Sequence, residues 1–281
     1  MNTIENVFPI SGKVDQITEQ SETHIPSKVQ ADTLFTFTSE AEFLIEYIKL
    51  KMIAPRYCEE DVGYLSIPGI QKMAYPMKCF CDINLHKIDE HLSWYGYYGL
   101  AFSKEWGMKN GIQPIQYINP SSELRKDFSV AFSAALKIKV DTQSVEHKLM
   151  KSFLLHEIMY YKPYSGLMRS RTDKDKVEEK CFTDECEWRY IPDVTVKGYQ
   201  QVFYDDQIFN AGVLAKMSNS MSGIPEISLK FSYADLKYII IKNAEDFQKL
   251  TTAIRSWHLT REEEYELVSK IIVWEKSRGD F

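Results

Sequence analysis

The sequence predicts an α+β fold built on a split or strongly bent, mostly antiparallel sheet that is flanked by helices. Strand-type and helix-type apolar patterns both occur, and they do not alternate strictly along the chain as they would in a parallel α/β sheet. An apolar content of 44% in 281 residues is enough for a full core. We therefore expect one large domain, or one domain with appendages.

The composition excludes several classes of protein. An aromatic content of 13% excludes global disorder. The formal net charge of −6 disfavours a general phosphate-binding surface, so a nucleic-acid target is not supported. A chain with this net charge can still carry a local basic patch. No apolar run approaches the roughly 20 residues that span a bilayer, and the N-terminus does not resemble a secretory signal. Five cysteines, an odd number, argue against a disulfide scaffold, so we predict a cytoplasmic protein without membrane partners.

The domain organisation follows from changes in composition along the chain. Residues 1–30 are polar and lack periodicity, which predicts a flexible N-terminal arm. Residues 31–245 contain the mixed strand and helix patterns of the α+β domain. Residues 246–281 are predicted to be a C-terminal helical extension that packs on this domain.

The first predicted elements are a strand at Thr33–Thr38 and a helix after it. Ser39 and Glu42 have the spacing of a capping box at the start of that helix. The helix is expected to end near Pro55, because the residue before a proline avoids helical geometry. A second strand is predicted over Met77–Asp82, followed by a short helix up to His91.

The aromatic segment 93–104 is predicted to be a strand, with Gly96 and Gly99 marking a close approach by another backbone or a ligand. Residues 122–161 and 260–275 are expected to be helical, and 169–180 to be a charged, solvated loop. Strands are expected at 227–231 and 238–241. The apolar stripes that support the helices are Phe128, Ala131, Ala135 and Leu136, then Leu149, Phe153, Leu154 and Ile158, and finally Tyr265, Leu267, Ile271 and Trp274.

The stretch from Cys181 to Pro192 has the most informative pattern in the chain. As a continuous strand, it would place Phe182, Cys186, Trp188 and Tyr190 on an apolar face. The opposite face would carry Glu185, Glu187 and Arg189, which we call the charged row. Neighbouring carboxylates repel, so such a row is tolerated most easily on a wet surface or in a site that uses the charges. A half-exposed strand in which the arginine neutralises the two acids is the alternative.

Two kinds of metal site have candidate ligands in the sequence but are not expected. Cys79 and Cys81 with His86 and His91 offer zinc ligands, but their spacing fits no standard zinc finger. A magnesium nuclease would need about three converging acids. Asp82, Asp184 and Glu185 are the candidates, but adjacent residues of a strand face opposite ways, so no metal is predicted.

Several motifs occur in the order found in a known family. They are Leu34–Thr38 with the following helix, Met77–Asp82, His91, Tyr95–Leu100, Lys104–Trp106, Lys162–Pro163 and Asp184–Arg189. Over roughly residues 33–245 the chain resembles the AbiGi family of bacterial abortive-infection proteins. The resemblance implies antiphage defence. It also implies a protein partner from a toxin–antitoxin pair or defence operon, since the family is commonly labelled as the antitoxin side.

A weaker resemblance implies a chemistry. DarT-like ADP-ribosyltransferases have an early strand followed by a helix, a tyrosine-bearing strand and a late catalytic glutamate. The similarity implies an ADP-ribosyltransferase-like fold that uses NAD. It implies catalytic roles for Glu185, Glu187 and Tyr95, and binding of NAD by Thr36, Thr38, His91 and Arg189. The early strand carries Thr36 where that group has a histidine.

Two functions from different classes therefore remain open. In an NAD-using effector, Thr36, His91, Tyr95, Glu185 and Arg189 should converge on one cleft. In a non-enzymatic antitoxin or regulator that acts by protein contact, the charged row is structural, and an exposed apolar patch is expected elsewhere, for example around Trp274.

Overall fold

The structure is a computed structural model. It describes residues 24–138, 144–170, 173, 175–205 and 211–280. Most of the predicted N-terminal arm, residues 1–23, lies outside the described residues. Residues 24–31 contain no helix or strand.

Helices and strands both contribute large parts of the fold, which confirms the predicted α+β class. The helices of the described residues are α1 Ala41–Leu50, α2 Asp89–Tyr95, α3 Lys104–Lys109, α4 Glu123–Lys137, α5 Val145–Met159, α6 Ala211–Ser220, α7 Ala244–Ser256, α8 Arg261–Ser269 and α9 Trp274–Ser277. The first eight strands are β1 Thr33–Thr38, β2 Met52–Ile53, β3 Arg56–Asp61, β4 Lys72–Cys81, β5 Tyr98–Ser103, β6 Gln113–Pro114, β7 Gln116–Ile118 and β8 Tyr161–Pro163. The remaining strands are β9 Ser165–Arg169, β10 Val177–Cys181, β11 Glu187–Tyr190, β12 Phe203–Tyr204, β13 Leu229–Lys230, β14 Leu236–Ile241 and β15 Ile271–Val273.

The main sheet is mixed and largely antiparallel. Its strands lie in the order β15-β14-β5-β1-β4-β11-β6, and only the edge pair β14 and β15 is parallel. Successive residues of β1, β5 and β14 point to opposite faces, so each strand supplies both sides of the sheet. Leu34 and Phe102 pack with α1 and α7 on one face, whereas Phe35, Ala101 and Ile240 face the other.

Strand β4 is shared between two parts of the sheet, and this is the predicted split. Its first half pairs with β3, where Asp61 lies opposite Lys72 and Arg56 lies opposite Met77. The same half also pairs with β12. Its second half pairs with β11, and with β1 at a single partner, Phe35 opposite Cys81. The first half packs on α4 and α5. The second half carries the strand that holds the charged row.

The start and end of α1 differ from the prediction. The helix ends at Leu50, and Lys51 has a left-handed backbone with φ of 52°. Short strand β2 then occupies residues expected to be helical, because Ile53 pairs with Leu229 of β13. The predicted capping box is wrong, since the N-cap residue is Glu40 and no side chain caps the helix.

The aromatic segment 93–104 begins as helix, and its strand starts only at Tyr98. The expected close approach is present at Gly96, where φ is 116° and a Cβ would lie 2.2 Å from the carbonyl oxygen of Thr38. At Gly99 a Cβ would lie 2.8 Å from the Phe37 ring. These glycines let α2 and β5 pack directly against β1.

The end of the chain is not one amphipathic helix. Helix α8 stops at Ser269, and Ile271–Val273 pairs in parallel with β14. Trp274 is 2% exposed, and its Nε1 donates a hydrogen bond to Asp89 Oδ1 at 2.8 Å. Trp274 is therefore not part of an exposed apolar patch, whereas Tyr265 on α8 is 70% exposed.

The long helical stretch 122–161 is two helices, α4 and α5, on either side of undescribed residues 139–143. In α5, Leu154 and Ile158 are buried as predicted, but Leu149 and Phe153 are exposed. The charge-dense segment predicted as a loop contributes β10, which pairs with β9 as a hairpin.

Candidate functional site

A cleft of about 660 Å³ lies where β4 passes from one part of the sheet to the other. We call it the main cleft. Its walls come from β1, β3, β4, the helix α2, the β8–β9 region and the turn before β11. The predicted site residues that line it are Thr36, His91, Tyr95, Glu185 and Glu187.

The stretch 181–192 is not the continuous strand that its alternation predicted. Strand β10 ends at Cys181, a 3₁₀ turn covers Phe182–Glu185, and β11 begins at Glu187. Cys186 between them has a left-handed backbone with φ of 42°. Glu185 therefore lies on the turn, two residues before the strand begins, and the two glutamates come from different elements.

The charged row is buried, so a wet surface for it is the wrong expectation. Glu185, Glu187 and Arg189 are 3%, 6% and 0% exposed. The apolar residues Trp188 and Tyr190 of β11 are the ones left half-buried, packed against the core beneath α1. Buried charges need partners, because transfer of an unpaired charge from water into the protein interior is very unfavourable.

Lys162 on β8 supplies the central partner. Its Nζ lies 2.5 Å from Glu185 Oε2 and 2.7 Å from Glu187 Oε2. The Nε of Arg189 donates to the second oxygen of Glu187, Oε1, at 2.7 Å. One cation thus joins the two acids, and the acid on the strand is held by two cations.

Arg189 lies behind the wall of the main cleft and does not line it. Its Nη1 donates to Tyr75 Oη and to the Met159 carbonyl, both at 2.7 Å. Its Nη2 lies 3.1 Å from Glu60 Oε2. The guanidinium therefore ties β11 to β3, β4 and the end of α5, and the structure gives no route from it to a ligand in the cleft.

These contacts decide the ionisation of the cluster. Burial raises the pKa of Glu187, but the charges of Arg189 and Lys162 lower it by more, so the pKa lies well below its usual range. Burial lowers the pKa of Lys162, but Glu187 and Glu185 raise it, so it lies well above the usual value. Glu187 and Lys162 are therefore both charged at neutral pH.

Tyr95 is the neutral partner of Glu185. Its hydroxyl donates to Glu185 Oε1, while Lys162 takes the other oxygen. Burial raises the pKa of Tyr95 well above its ordinary value, so the phenol keeps its proton and stays a donor. The carboxylate of Glu185 is thus fixed at both oxygens, with its orientation set toward the cleft.

His91 contributes an unsatisfied polar atom beside that carboxylate. The side chain is buried at 8% exposure, and its Nε2 has no hydrogen-bond partner among the described residues. Its ring centre lies 5.7 Å from that of Tyr95 and 6.5 Å from that of Phe37. Burial lowers the pKa of His91, so the imidazole is neutral at pH 7. A neutral imidazole can donate or accept one hydrogen bond to a ligand.

The two threonines of β1 fall in different places. Thr36 lines the main cleft, and its Oγ1 donates to the Cys79 carbonyl at 2.8 Å, which links β1 to β4. Its oxygen can still accept a hydrogen bond from a ligand. Thr38 lines an adjoining pocket of about 390 Å³, which we call the second pocket. Tyr95 lines both.

The sequence reasoning missed four residues of this site as functional residues: Lys162, Tyr75, Glu60 and Tyr117. The Tyr117 Oη accepts a hydrogen bond from the Glu187 backbone N–H at 2.9 Å. The sequence contained one signal for Lys162: two acids with one arginine need a further cation, and Lys162 lies in one of the motifs shared with the AbiGi family.

Neither metal alternative gains support from the described residues. They contain no group of three or more His, Cys, Asp or Glu side chains placed to hold a metal ion. Asp82, a candidate for the magnesium set, has Oδ2 paired with Lys104 at 2.6 Å, and Glu185 is engaged by Lys162.

Comparison with known proteins identifies the family. The model of a family described as "Putative abortive phage resistance protein AbiGi, antitoxin" matches residues 51–242, more than half of the chain. The chain belongs to the AbiGi family. A relative named "Abortive phage resistance protein AbiGi", from Lactococcus lactis subsp. cremoris, is 32% identical over 248 residues, covering 81% of this chain and 98% of the relative. No solved structure matches.

Membership of the AbiGi family confirms the resemblance found in the sequence and the role in antiphage defence. The matched region contains the whole charged row, His91, Tyr95 and Lys162, but not Thr36 and Thr38. Within the described ranges, no helix is long and apolar enough to cross a bilayer.

Proposed function

We propose that this AbiGi protein is an NAD-using, ADP-ribosyltransferase-like effector of antiphage defence. The observation that carries the proposal is the arrangement of Glu185. Its buried carboxylate is fixed by Tyr95 and Lys162 at the wall of the main cleft, beside a histidine with a free ring nitrogen. The cleft, at about 660 Å³, lies within the range of about 300–1,000 Å³ that is usual for small-molecule sites.

In ADP-ribosyl transfer, the bond between the ribose carbon and the nicotinamide nitrogen breaks, and its electron pair leaves with nicotinamide. The ribose carbon becomes cationic and then accepts an electron pair from a nucleophile, whose proton passes to a base. A fixed carboxylate next to the ribose stabilises that developing charge, because it is already oriented in a site with little water. Glu185 takes this role.

The neighbouring residues fit the two ends of such a substrate. The aromatic rings of Tyr95 and Phe37 offer faces for a planar nicotinamide ring. The free Nε2 of His91 and the oxygen of Thr36 can hydrogen-bond the ribose hydroxyls. The threonine thus retains a polar contact where the DarT-like pattern has histidine.

Glu187 and Arg189 act as positioning residues in this proposal. Glu187 holds Lys162 and Arg189 together, and Arg189 ties β11 to three other elements. Lys162, held in this way, orients Glu185. The predicted contact of Arg189 with NAD is not carried into the proposal, because its guanidinium is fully buried behind the cleft wall.

The test is release of nicotinamide from NAD by the purified chain, alone and with extract of phage-infected cells that supplies the acceptor. We expect Glu185→Gln to lower the rate about a hundredfold or more, because the charge that stabilises the ribose is lost while the shape is kept. Glu179→Gln, at an exposed acid on β10, is the matched control and should leave the rate unchanged. The same pair of variants is compared for protection against phage plaques.

Two results would overturn this proposal. One is wild-type protein that protects cells but consumes no NAD in either assay. The other is Glu185→Gln protein that is folded and retains the wild-type rate.

A second function is favoured by one observation, and the family description "antitoxin" names its setting. Helix α5 exposes Val145, Leu149 and Phe153 at 69%, 66% and 60%, spaced four residues apart on one side. An apolar stripe of this kind is typical of a protein-binding surface. In this alternative the occupant is a toxin protein from the same defence operon.

The stripe is tested by Leu149→Glu with Phe153→Glu. If the alternative is correct, the double variant loses both co-purification with the neighbouring toxin and neutralisation of it. Val196→Glu, at another exposed apolar residue, should retain both. Unchanged binding and neutralisation by the double variant would exclude the stripe as the contact.

A further inference from the structure

The second pocket adjoins the main cleft and shares a wall with it. It is lined by Thr38 and by the rings of Phe43, Tyr47 and Tyr57. The shared wall includes Arg56, Lys78, Glu59, Glu60, Phe37 and Tyr95, which line both cavities. One bound ligand can therefore lie along this wall and occupy both cavities.

Lys78 on β4 is a buried cation in that wall. The residue is 9% exposed, and its Nζ lies 4.9 Å from the centre of the Tyr47 ring. Among the described residues, no carboxylate forms an ion pair with it. Because Lys78 lines both cavities, an anionic group of a ligand bound there can supply its counter-charge.

The acids of the same wall are already paired with other cations. Glu59 lies 2.6 Å from Lys72, and Glu60 lies 3.1 Å from Arg189. The Nη1 of Arg56 donates to the amide oxygen of Asn219 at 3.0 Å, a neutral partner. The boundary between the two cavities thus carries two positive charges that the described carboxylates do not neutralise.

We propose that Lys78 and Arg56 bind the diphosphate of a dinucleotide that spans the two cavities. The nicotinamide–ribose half enters the main cleft toward Glu185. The other base lies against the rings of Phe43, Tyr47 and Tyr57 in the second pocket. This assignment deepens the proposed use of NAD and rests on it.

The chemistry of the wall matches this ligand. A lysine binds phosphate as a point charge and an arginine as a planar fork with several donors, so the pair can bind two adjacent phosphates. Aromatic side chains stack on heterocyclic bases with little regard to base identity.

The experiment is calorimetric titration of the full chain with NAD, ADP-ribose, ADP and nicotinamide riboside, which lacks phosphate. Lys78→Met should weaken binding of the three diphosphates about tenfold or more, because a charged contact to phosphate is lost. Binding of nicotinamide riboside should not change. Lys109→Met removes an exposed lysine on α3 and is the matched control for net charge.

Folding is checked by the thermal midpoint, which should not fall in Lys78→Met, because methionine fills the site without a buried charge. Arg56→Met, at the more exposed cation, provides a second variant with the same expected pattern. Equal diphosphate binding by wild type and Lys78→Met, or no diphosphate binding by the wild type, overturns the inference.

The outcomes separate this inference from the proposed function. If ADP-ribose and ADP bind through Lys78 but NAD is not consumed, the diphosphate site stands and the transferase function fails. If NAD is consumed but Lys78→Met binds it as the wild type does, the function stands and the diphosphate site fails. Tighter binding of ADP-ribose than of ADP would support a ligand that occupies both cavities.

Discussion

The two glutamates of the charged row lie two residues apart but in different local structures. Glu187 is on β11, where its oxygens are held by Lys162 and Arg189 and its backbone N–H by Tyr117. Glu185 is on a 3₁₀ turn, held by one cation and one neutral phenol, beside the free nitrogen of His91. Both carboxylates are buried, so burial does not distinguish them.

The difference lies in what each carboxylate connects. Glu187 joins Lys162 on β8 to Arg189, which ties β11 to β3, β4 and α5, so its charge serves the structure. Among the described residues, the side chains that bind the Glu185 carboxylate are Tyr95 and Lys162, which themselves line the main cleft, so its charge is available to a ligand. The comparison teaches that two acids in one motif can divide structure and chemistry between them.

The largest expected effect is the loss of stability when Glu187, the acid on β11, is replaced. Glu187→Gln leaves Lys162 with one acid and fully buried Arg189 with Glu60 alone. We expect the free energy of unfolding to fall by about 3–5 kcal/mol, the usual cost of breaking a buried ion pair from one side. Urea unfolding followed by tryptophan fluorescence measures it.

A smaller loss of stability is expected when Glu185, the acid on the 3₁₀ turn, is replaced. Glu185→Gln leaves Lys162 paired with Glu187, and the amide oxygen can still accept from Tyr95. The expected decrease is about 1–2 kcal/mol, since one charge-assisted hydrogen bond becomes a neutral one. Equal losses in the two glutamine variants would contradict the division between the acids.

A third and smaller effect is the pH dependence of the stability difference between the wild type and Glu187→Gln. The pKa of Glu187 is lower in the folded chain than in the unfolded chain, because Arg189 and Lys162 outweigh the effect of burial. Its stabilising contribution is therefore present above the unfolded value of about 4.3 and is lost as the pH falls below it. The gap in unfolding free energy between wild type and Glu187→Gln should narrow from about pH 5 downward. A constant gap down to pH 3 would show that Glu187 is not held ionised by its partners.

The regular parts of the fold could be predicted from local pattern. Strand β1 matches its predicted bounds, and β4 contains nearly all of the predicted 77–82 strand, because alternation and β-branched residues are local signals. Strand β15 was not predicted, since Ile271–Val273 continues the apolar spacing of α8. Only its parallel pairing with distant β14 makes it a strand.

The candidate site could be predicted only in part, for two physical reasons. The turn that displaces Glu185 depends on the left-handed backbone of Cys186, a residue type that gives no such signal. The burial of the charged row depends on Lys162, 23 residues from Glu185 in sequence, and on contacts of Arg189 with β3 and α5. Alternation alone assigns charged residues to solvent, because it carries no information about distant partners.

The most direct test of the division between the two acids compares the glutamine variants in one assay. Nicotinamide release from NAD is measured for Glu185→Gln and Glu187→Gln and is divided by the folded fraction of each protein. The account predicts that Glu185→Gln is folded and about a hundredfold slower or more, while Glu187→Gln is destabilised and loses much less of the rate per folded molecule, because Lys162 keeps its contact with Glu185. A folded Glu185→Gln protein with the wild-type rate would contradict it.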